Sequence, residues 1–371
     1  GVEREGKDVY KGIALGGGRR LDRRRFSCQE LCQESCQETV MSDFPTSPDE
    51  LTAQWLSQAL DFAVKDFEVT YFGEGAGIMA MVTRVLLTTG ADNPQSIIAK
   101  FASPSADNRA VASTYNMYGR EVQFYEDIAH KVEMRTPRCF YSAFDPASED
   151  FVLLMEDLGH LRIGDQVAGC TLQEARSILS AVAGLHASGW QPTQFANLIS
   201  HNNPAQRDGM IGGFQVGWPV VNEQFPELIP ASAQIAGTAM PGAVGRLLDE
   251  MTQAPVCLSH GDVRLDNIFF DGDEVLFVDW QSICSSSPEQ DVAYFITQSV
   301  PPEVRAREDL VAFYHSELTR RGVDYDLAFC RERYRVSALY LLCFALVIAG
   351  TLDLDNERGH ALGRVPVSYT H

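Results

Sequence analysis

Apolar positions along the chain change their period several times, and each change marks an element. Ser47-Pro48-Asp49-Glu50 has the parts of a helix start: a capping hydroxyl, a proline suited to the first turn and a glutamate that closes a capping box. Leu51, Trp55, Leu56 and Ala59 then recur on one helical face. Strand chemistry follows at positions 68–72, 81–89 and 96–101, with turns at 73–77 and 90–94. Positions 108–132 return to helical spacing, with Tyr118, Val122, Phe124, Tyr125 and Ile128 apolar and Glu121 and Glu126 between them. A short buried strand is expected at 151–155. Thr171-Leu172-Gln173-Glu174 is a second capping box, opening a helix with Ala175, Ile178, Leu179, Val182 and Leu185 on its apolar face. The stretch 190–251 reads as irregular, rich in Gly and Pro and dotted with Trp190, Phe195, Phe214, Trp218 and Phe225. Short strands are expected at 256–259, 267–270 and 275–278, and helix throughout 303–360. A sheet-rich part therefore precedes a helical one, an α+β arrangement.

The two ends have a different texture. Residues 1–40 hold Gly16-Gly17-Gly18-Arg19-Arg20, a basic run at Arg23, Arg24 and Arg25, and a near-repeat around Cys28 and Cys36. Cys28, Cys32 and Cys36 would share one helix face, but no nearby His or second Cys pair completes a metal site. The expectation is a disordered or non-native leader, with Met41 as the start. Residues 364–371 break the preceding helical pattern at Pro366 and are expected to be a non-native tail.

Composition narrows the function classes. The chain has 371 residues, 45% apolar and 22% charged, which suits two domains or one bilobed unit. Fifty acidic against thirty basic residues give a net charge of −20, a field that repels a phosphate backbone and disfavours nucleic-acid binding. That field would attract a cationic small substrate, or serve only solubility. The richest apolar run, positions 338–349, falls short of the ~18 residues a membrane span needs and reads as a buried core helix. No secretory signal is evident. Six cysteines from Cys139 to Cys343 lie mostly in apolar segments, which fits a reducing cytoplasm better than a disulfide framework.

The densest chemistry is His260-Gly261-Asp262-Val263-Arg264-Leu265-Asp266-Asn267, followed by a hairpin and Asp279-Trp280-Gln281. Phosphoryl transfer needs a carboxylate beside the attacking hydroxyl and oxygen ligands for a magnesium ion on the nucleotide phosphates. Asp262 suits the first role; Asn267 and Asp279 suit the second. Asp-to-Asn spacing follows the kinase catalytic loop, with Gly261 in place of its Arg.

These residues resemble the aminoglycoside phosphotransferase and choline kinase-like superfamily. Asp279-Trp280-Gln281, and Asp291 within Gln290-Asp291-Val292-Ala293-Tyr294-Phe295, are most similar to its ecdysteroid kinase-like branch. The resemblance covers about residues 47–363. It implies a protein-kinase-like bilobed fold, with an antiparallel N-lobe at 47–157 for nucleotide and a mainly helical C-lobe at 158–363 for catalysis and the acceptor. It also implies transfer of the ATP γ-phosphate to a small-molecule alcohol. On this resemblance Asp262 is the catalytic base, Asn267 and Asp279 hold Mg2+, Lys100 meets the α- and β-phosphates and Glu121 pairs with Lys100. Met155, Glu156 and Leu158 form the hinge for adenine. Gly73, Gly75 and Gly77 form a flap over the phosphates, although their spacing departs from that of protein kinases.

Each assignment has a structural competitor. The competitor for Lys100 is a solvated strand-edge lysine, with the ordered set favouring the phosphate role. Glu126 competes with Glu121 for it, with Glu121 ahead because it directly precedes Val122-Gln123-Phe124-Tyr125. His260 is expected to orient the loop by hydrogen bonding, and His186 to be a satisfied core histidine. Asp266 would brace the loop or bind metal; Arg264 would meet an anion or a neighbouring carboxylate; Asp291 would hold the loop through backbone hydrogen bonds. Trp190, Trp218 and Phe225 fall where such a family builds its acceptor pocket, with Trp218 foremost. Steroid-like alcohols, amino alcohols and aminoglycosides all remain open as acceptors. A catalytically silent nucleotide- or ligand-binding protein on the same scaffold is the alternative. A nicotinamide oxidoreductase fails because a strand, not a helix, follows the glycine loop.

Overall fold

The computed structural model describes residues 43–72, 79–224, 237 and 239–351. The N-terminal part is a five-stranded antiparallel sheet in the order β1-β2-β3-β5-β4, formed by β1 (Asp66–Tyr71), β2 (Ala80–Thr88), β3 (Ser96–Ala102), β4 (Cys139–Asp145) and β5 (Asp150–Glu156). Alternation along β3 decides what each face meets. Ile97, Ala99 and Phe101 point to one side and pack, with Val85, Val152 and Leu154, under Leu56 and Leu60 of α1 (Ala53–Leu60). On the opposite face, Ala102, Leu153 and Met155 pack against Tyr118 and Val122 of α3 (Met117–Gln123). Lys100 belongs to this second face.

Local details differ from the expectation in three places. The helix near residue 50 starts later: residues Pro48–Glu50 form a single 3-10 turn, Leu51 is extended, and Thr52 rather than Ser47 caps α1 through the Trp55 N–H. The Glu50 carboxylate accepts from the Thr46 N–H instead, at 2.8 Å. The stretch 108–132 is not one helix. It divides into α2 (Ala106–Thr114) and α3 at Asn116, which sits in the left-handed region at φ 49°, before a π turn at Phe124–Ile128. The edge strand β4 also escapes the apolar pattern, since all seven of its residues are half-buried.

In the C-terminal part, α4 (Leu172–Ser188) carries the expected capping box between Thr171 and Glu174. The segment 190–251, expected to be irregular, contains α5 (Pro204–Gln224) and α6 (Val244–Met251). Its glycines reflect helix contact rather than loop. A Cβ on Gly217 would lie 2.8 Å from the Leu346 carbonyl oxygen, and one on Gly213 would lie 2.6 Å from Val347. A methylene at Gly350 would reach 2.3 Å from the Gly217 Cα. Only glycine lets these backbones approach, and that packing overrides a propensity loss of about 1 kcal/mol per residue.

Further on come β6 (Arg162–Ile163), β8 (Ile268–Asp271) and β9 (Glu274–Phe277) in one small sheet, and β7 (Cys257–Ser259) paired with β10 (Cys284–Ser286). The chain continues through α7 (Glu289–Ser299), α8 (Pro302–Arg305), α9 (Leu310–Arg320) and α10 (Leu327–Thr351), so the expected helix from 303 is three helices and its last residues lie outside those described. One apolar core joins α4 to β8, β9, α7 and α9, and a second joins α5, α6, α7 and α10. Among the described residues no helix is long and apolar enough to cross a membrane. The six cysteines from Cys139 to Cys343 are free thiols.

Candidate active site

Strand β7 ends at Ser259 and releases a turn that cannot form without Gly261. Its φ is +85°, and a Cβ there would stand 2.3 Å from the Ser282 carbonyl oxygen. Asp291, on the first turn of α7, fixes this turn from beneath. Its fully buried carboxylate accepts from the His260 N–H at 2.7 Å and the Gly261 N–H at 2.9 Å. His186 donates to the same carboxylate from Nε2 at 3.1 Å and meets the Tyr314 hydroxyl at Nδ1. Burial works against charge on Asp291, but the His186 hydrogen bond, the two nearby imidazoles and the Gly261 N–H hold its carboxyl below the ordinary range.

The His260 ring is committed at both nitrogens. Nε2 faces the Val278 carbonyl at 3.1 Å and must donate to it, so Nδ1 is the acceptor for the Asp262 N–H at 3.2 Å. His260 is therefore a brace between the turn and the end of β9. Asp262 next accepts at Oδ2 from Asn267 Nδ2 (2.9 Å) and Arg264 Nε (3.2 Å). Burial pushes the Asp262 carboxyl up, yet the Arg264 guanidinium, the Tyr294 hydroxyl and Asn267 bring it below the ordinary value. Arg264 also stands 3.6 Å from Asp266, whose other oxygen accepts from the Gln166 N–H at 3.0 Å.

Asn267 connects this turn to Asp279. Its carbonyl accepts from the Val278 N–H at 3.0 Å, one residue before Asp279. Asp279 takes the left-handed conformation at φ 66°, ψ 64°, which a non-glycine residue adopts only when its surroundings hold it there. Two of those surroundings are plain. Gln281 Nε2 donates to one carboxylate oxygen at 3.2 Å, and Lys100 Nζ to the other at 2.8 Å. The same ammonium lies 2.6–2.8 Å from both oxygens of Glu121 on α3. Burial would lower the Lys100 pKa, but Asp279 and Glu121 together raise it, so the ammonium stays charged. Glu121 shows the reverse order: burial dominates and raises its carboxyl, against Lys100. Glu126 instead accepts from Ser142 at the surface.

The structure thus brings together Lys100, Glu121 and Asp279, and separately Asp262, Arg264, Asn267 and Asp266, with His260 and Asp291 behind them. At the hinge positions, Met155 is paired in the sheet with Ile98, Glu156 exchanges hydrogen bonds with Arg138, and Leu158 is buried. Gly73, Gly75 and Gly77 lie outside the described residues, as do Phe225 and the leader cysteines. Trp218 stacks on Phe214 at 5.8 Å and packs on the second core. Among the described residues no group of three or more His, Cys, Asp or Glu has the arrangement of a metal site.

Two contributors escaped the sequence reading. Tyr294 directs its hydroxyl at Asp262, and its place three residues after Asp291 on α7 puts both on one helix face, a spacing that could have revealed it. Phe124 lies flat against Trp280, ring centres 3.6 Å apart and planes 4° from parallel. This stack seats the end of α3 against the Asp279 turn.

Solved structures share the fold at low sequence identity. A choline kinase from Cryptosporidium parvum Iowa II is 10% identical with a TM-score of 0.52, over 82% of this chain and 88% of that one. A GDP complex of an aminoglycoside 2'-phosphotransferase is 14% identical with a TM-score of 0.50, over 86% and 100%. A microcompartment-associated aminopropanol kinase is 13% identical with a TM-score of 0.50, over 86% and 95%. Among curated proteins no match is found. The family model of the ecdysteroid kinase-like family matches residues 74–322, which contain Lys100, Glu121, the turn at 260–267 and Asp279; the chain belongs to that family.

Proposed function

We propose that this protein is an ATP- and Mg2+-dependent phosphotransferase that moves the γ-phosphate to the hydroxyl of a small-molecule alcohol. The observation that carries the reading is the single buried ammonium of Lys100, shared by Glu121 of α3 and Asp279 beyond β9. Its charge is held by two carboxylates that come from two different elements. An ammonium held between two, on the face of β3 that looks away from α1, is placed to receive phosphate oxygens. The solved relatives include a nucleotide complex and kinases of choline and aminopropanol, which favours a nucleotide donor and a small acceptor.

The side chains divide the work by their protonation. Asp262, ionised at neutral pH, accepts a hydrogen bond from the acceptor hydroxyl and takes its proton as the new O–P bond forms and the bond from the γ-phosphorus to the bridging β-phosphate oxygen breaks, with ADP leaving. A carboxylate held this acidic is a weak base, which suits a loose transition state in which little proton transfer precedes bond making. Asn267 and Asp279 supply the amide and carboxylate oxygens, a hard donor set that fits magnesium, and Asp266 stays as a brace. When bound, that ion would supply positive charge against the phosphates. Lys100 meets the α- and β-phosphates, and Glu121 keeps it aimed. Met155, Glu156 and Leu158 line the base, and Trp218 flanks the acceptor.

The test is ATP consumption over a panel of hydroxylated metabolites, with mass spectrometry of the products. One product heavier by a phosphoryl group is expected. Asp262→Ala should lower its formation by about 10^2–10^4-fold while leaving circular dichroism unchanged. Full activity in Asp262→Ala overturns the mechanism; Mg2+-dependent nucleotide binding with no turnover on the panel overturns the activity.

A further inference from the structure

Helix α3 does more than present Glu121. Four of its side chains, or those adjoining it, reach four other parts of the molecule. Tyr118 donates to the Met79 carbonyl at 2.6 Å and accepts from the Ser103 N–H at 3.0 Å, holding the start of β2 and the end of β3. Glu121 meets Lys100. Gln123 donates to the Ala196 carbonyl at 2.8 Å. Arg120 makes the most specific of these contacts. Its guanidinium donates to the Ile283 carbonyl twice, from Nε at 2.8 Å and Nη2 at 2.6 Å, and from Nη1 to the Tyr115 carbonyl at 3.3 Å. Ile283 stands four residues beyond Asp279 and directly follows the 3-10 turn Trp280–Ser282.

Among the described residues no carboxylate lies within ion-pair distance of Arg120. Removal from water lowers its pKa from the ordinary value. A guanidinium in that setting is not there for charge pairing. It is a rigid fork closed on one carbonyl, which a flexible ammonium cannot reproduce. The carbonyl it grips belongs to the segment whose other end carries Asp279, while the fork itself is covalently next to Glu121.

We propose that Arg120 is a positioning residue that locks α3 to the Asp279 turn, so that Glu121, Lys100 and Asp279 are aligned before nucleotide arrives. The role rests on the phosphotransferase reading, since alignment matters only if Asp279 serves a nucleotide-bound metal. Without the fork, Asp279 would still reach Lys100 on occasion, but the turn would no longer be fixed relative to α3. The loss should fall on the step that needs Asp279, not on binding of the base.

Two measurements on the full chain separate the parts of this claim. Hydrogen exchange compares wild type with Arg120→Met and Arg120→Lys: amides at 117–123 and 280–286 should both exchange about tenfold faster in Arg120→Met, less so in Arg120→Lys, with β5 and α4 unchanged. Calorimetric titration with ADP then compares affinity in Mg2+ and in EDTA. Arg120→Met should lose at least about fivefold of the gain that Mg2+ gives, and keep its metal-free affinity within about twofold. A merely structural defect would weaken both. Should Arg120→Met fail to fold, Arg120→Lys gives the same readout, with part of the gain retained. Exchange confined to α3, or a full Mg2+ gain in a folded variant, overturns the role alone. Absence of ADP binding by the wild-type protein overturns the functional reading and this role with it.

Discussion

Between β7 and α7 almost every polar side chain is used to orient another, whereas α5 and α10 come closest where Gly217 and Gly350 leave room for backbone. In the turn, Asp291, His260, Asn267 and Arg264 form a chain of hydrogen bonds ending on Asp262. In the helix pair, Gly217 and Gly350 make room for backbone and Gly213 for the Val347 side chain. Both regions are close-packed, but they fail differently. A polar lattice tolerates small changes of shape and collapses when a charge is removed; a glycine contact tolerates charge nearby and gives way to one methyl group.

The largest expected effect tests the polar side. Asp291→Ala strips two backbone N–H groups and His186 of their shared acceptor in a fully buried site, and should lower unfolding stability by about 3–5 kcal/mol in urea titration. A loss below about 1 kcal/mol would show that the turn holds itself without Asp291. An intermediate effect is expected where the two regions meet. His201 accepts at Nε2 from the Tyr340 hydroxyl of α10, whose oxygen in turn accepts a hydrogen bond from the Gln206 side-chain amide of α5, and burial followed by the Arg120 charge lowers its pKa from 6.5 to about 4. The unfolded chain therefore binds a proton that the folded protein refuses. Stability from this group is complete above pH 6.5 and is lost as pH falls toward 4, by up to about 3 kcal/mol. His201→Gln should flatten that part of the pH–stability curve relative to wild type; parallel curves would place the charge elsewhere. The smallest effect tests the glycine side: Gly217→Ala should cost about 1–3 kcal/mol in the same titration, because the new Cβ meets a carbonyl oxygen and not a flexible side chain. A neutral result would mean that α5 and α10 separate freely.

The same contrast explains what could be read in advance. Asp262, Asn267 and Asp279 lie within one short segment, so their order alone drew the proposed chemistry to them, and the α+β division follows from the change of apolar period. Lys100 and Glu121 were legible as members of that ordered set, and Glu121 was preferred to Glu126 because it directly precedes Val122-Gln123-Phe124-Tyr125; α3 turns Glu121 toward β3, while Glu126 falls on the following π turn and meets Ser142. Arg120 left no trace in the sequence, because its partner is the backbone of Ile283, which any residue supplies. The helix α5 was hidden for the opposite reason: its glycines speak for flexibility until α10 is placed against them. Thr52 capped α1 in place of Ser47 because Leu51, buried in the sheet's core, pulls the chain extended at that point.

Trp280, one of four tryptophans, has its indole sealed from water, its N–H held by the Phe277 carbonyl and its face covered by Phe124. An indole reports its surroundings in the colour of its emission. With Trp55, Trp190 and Trp218 replaced by Phe, this ring would glow at short wavelength while α3 is seated and shift to the red whenever water enters behind Phe124. The protein therefore carries its own optical gauge, needing no dye, for the docking of one helix.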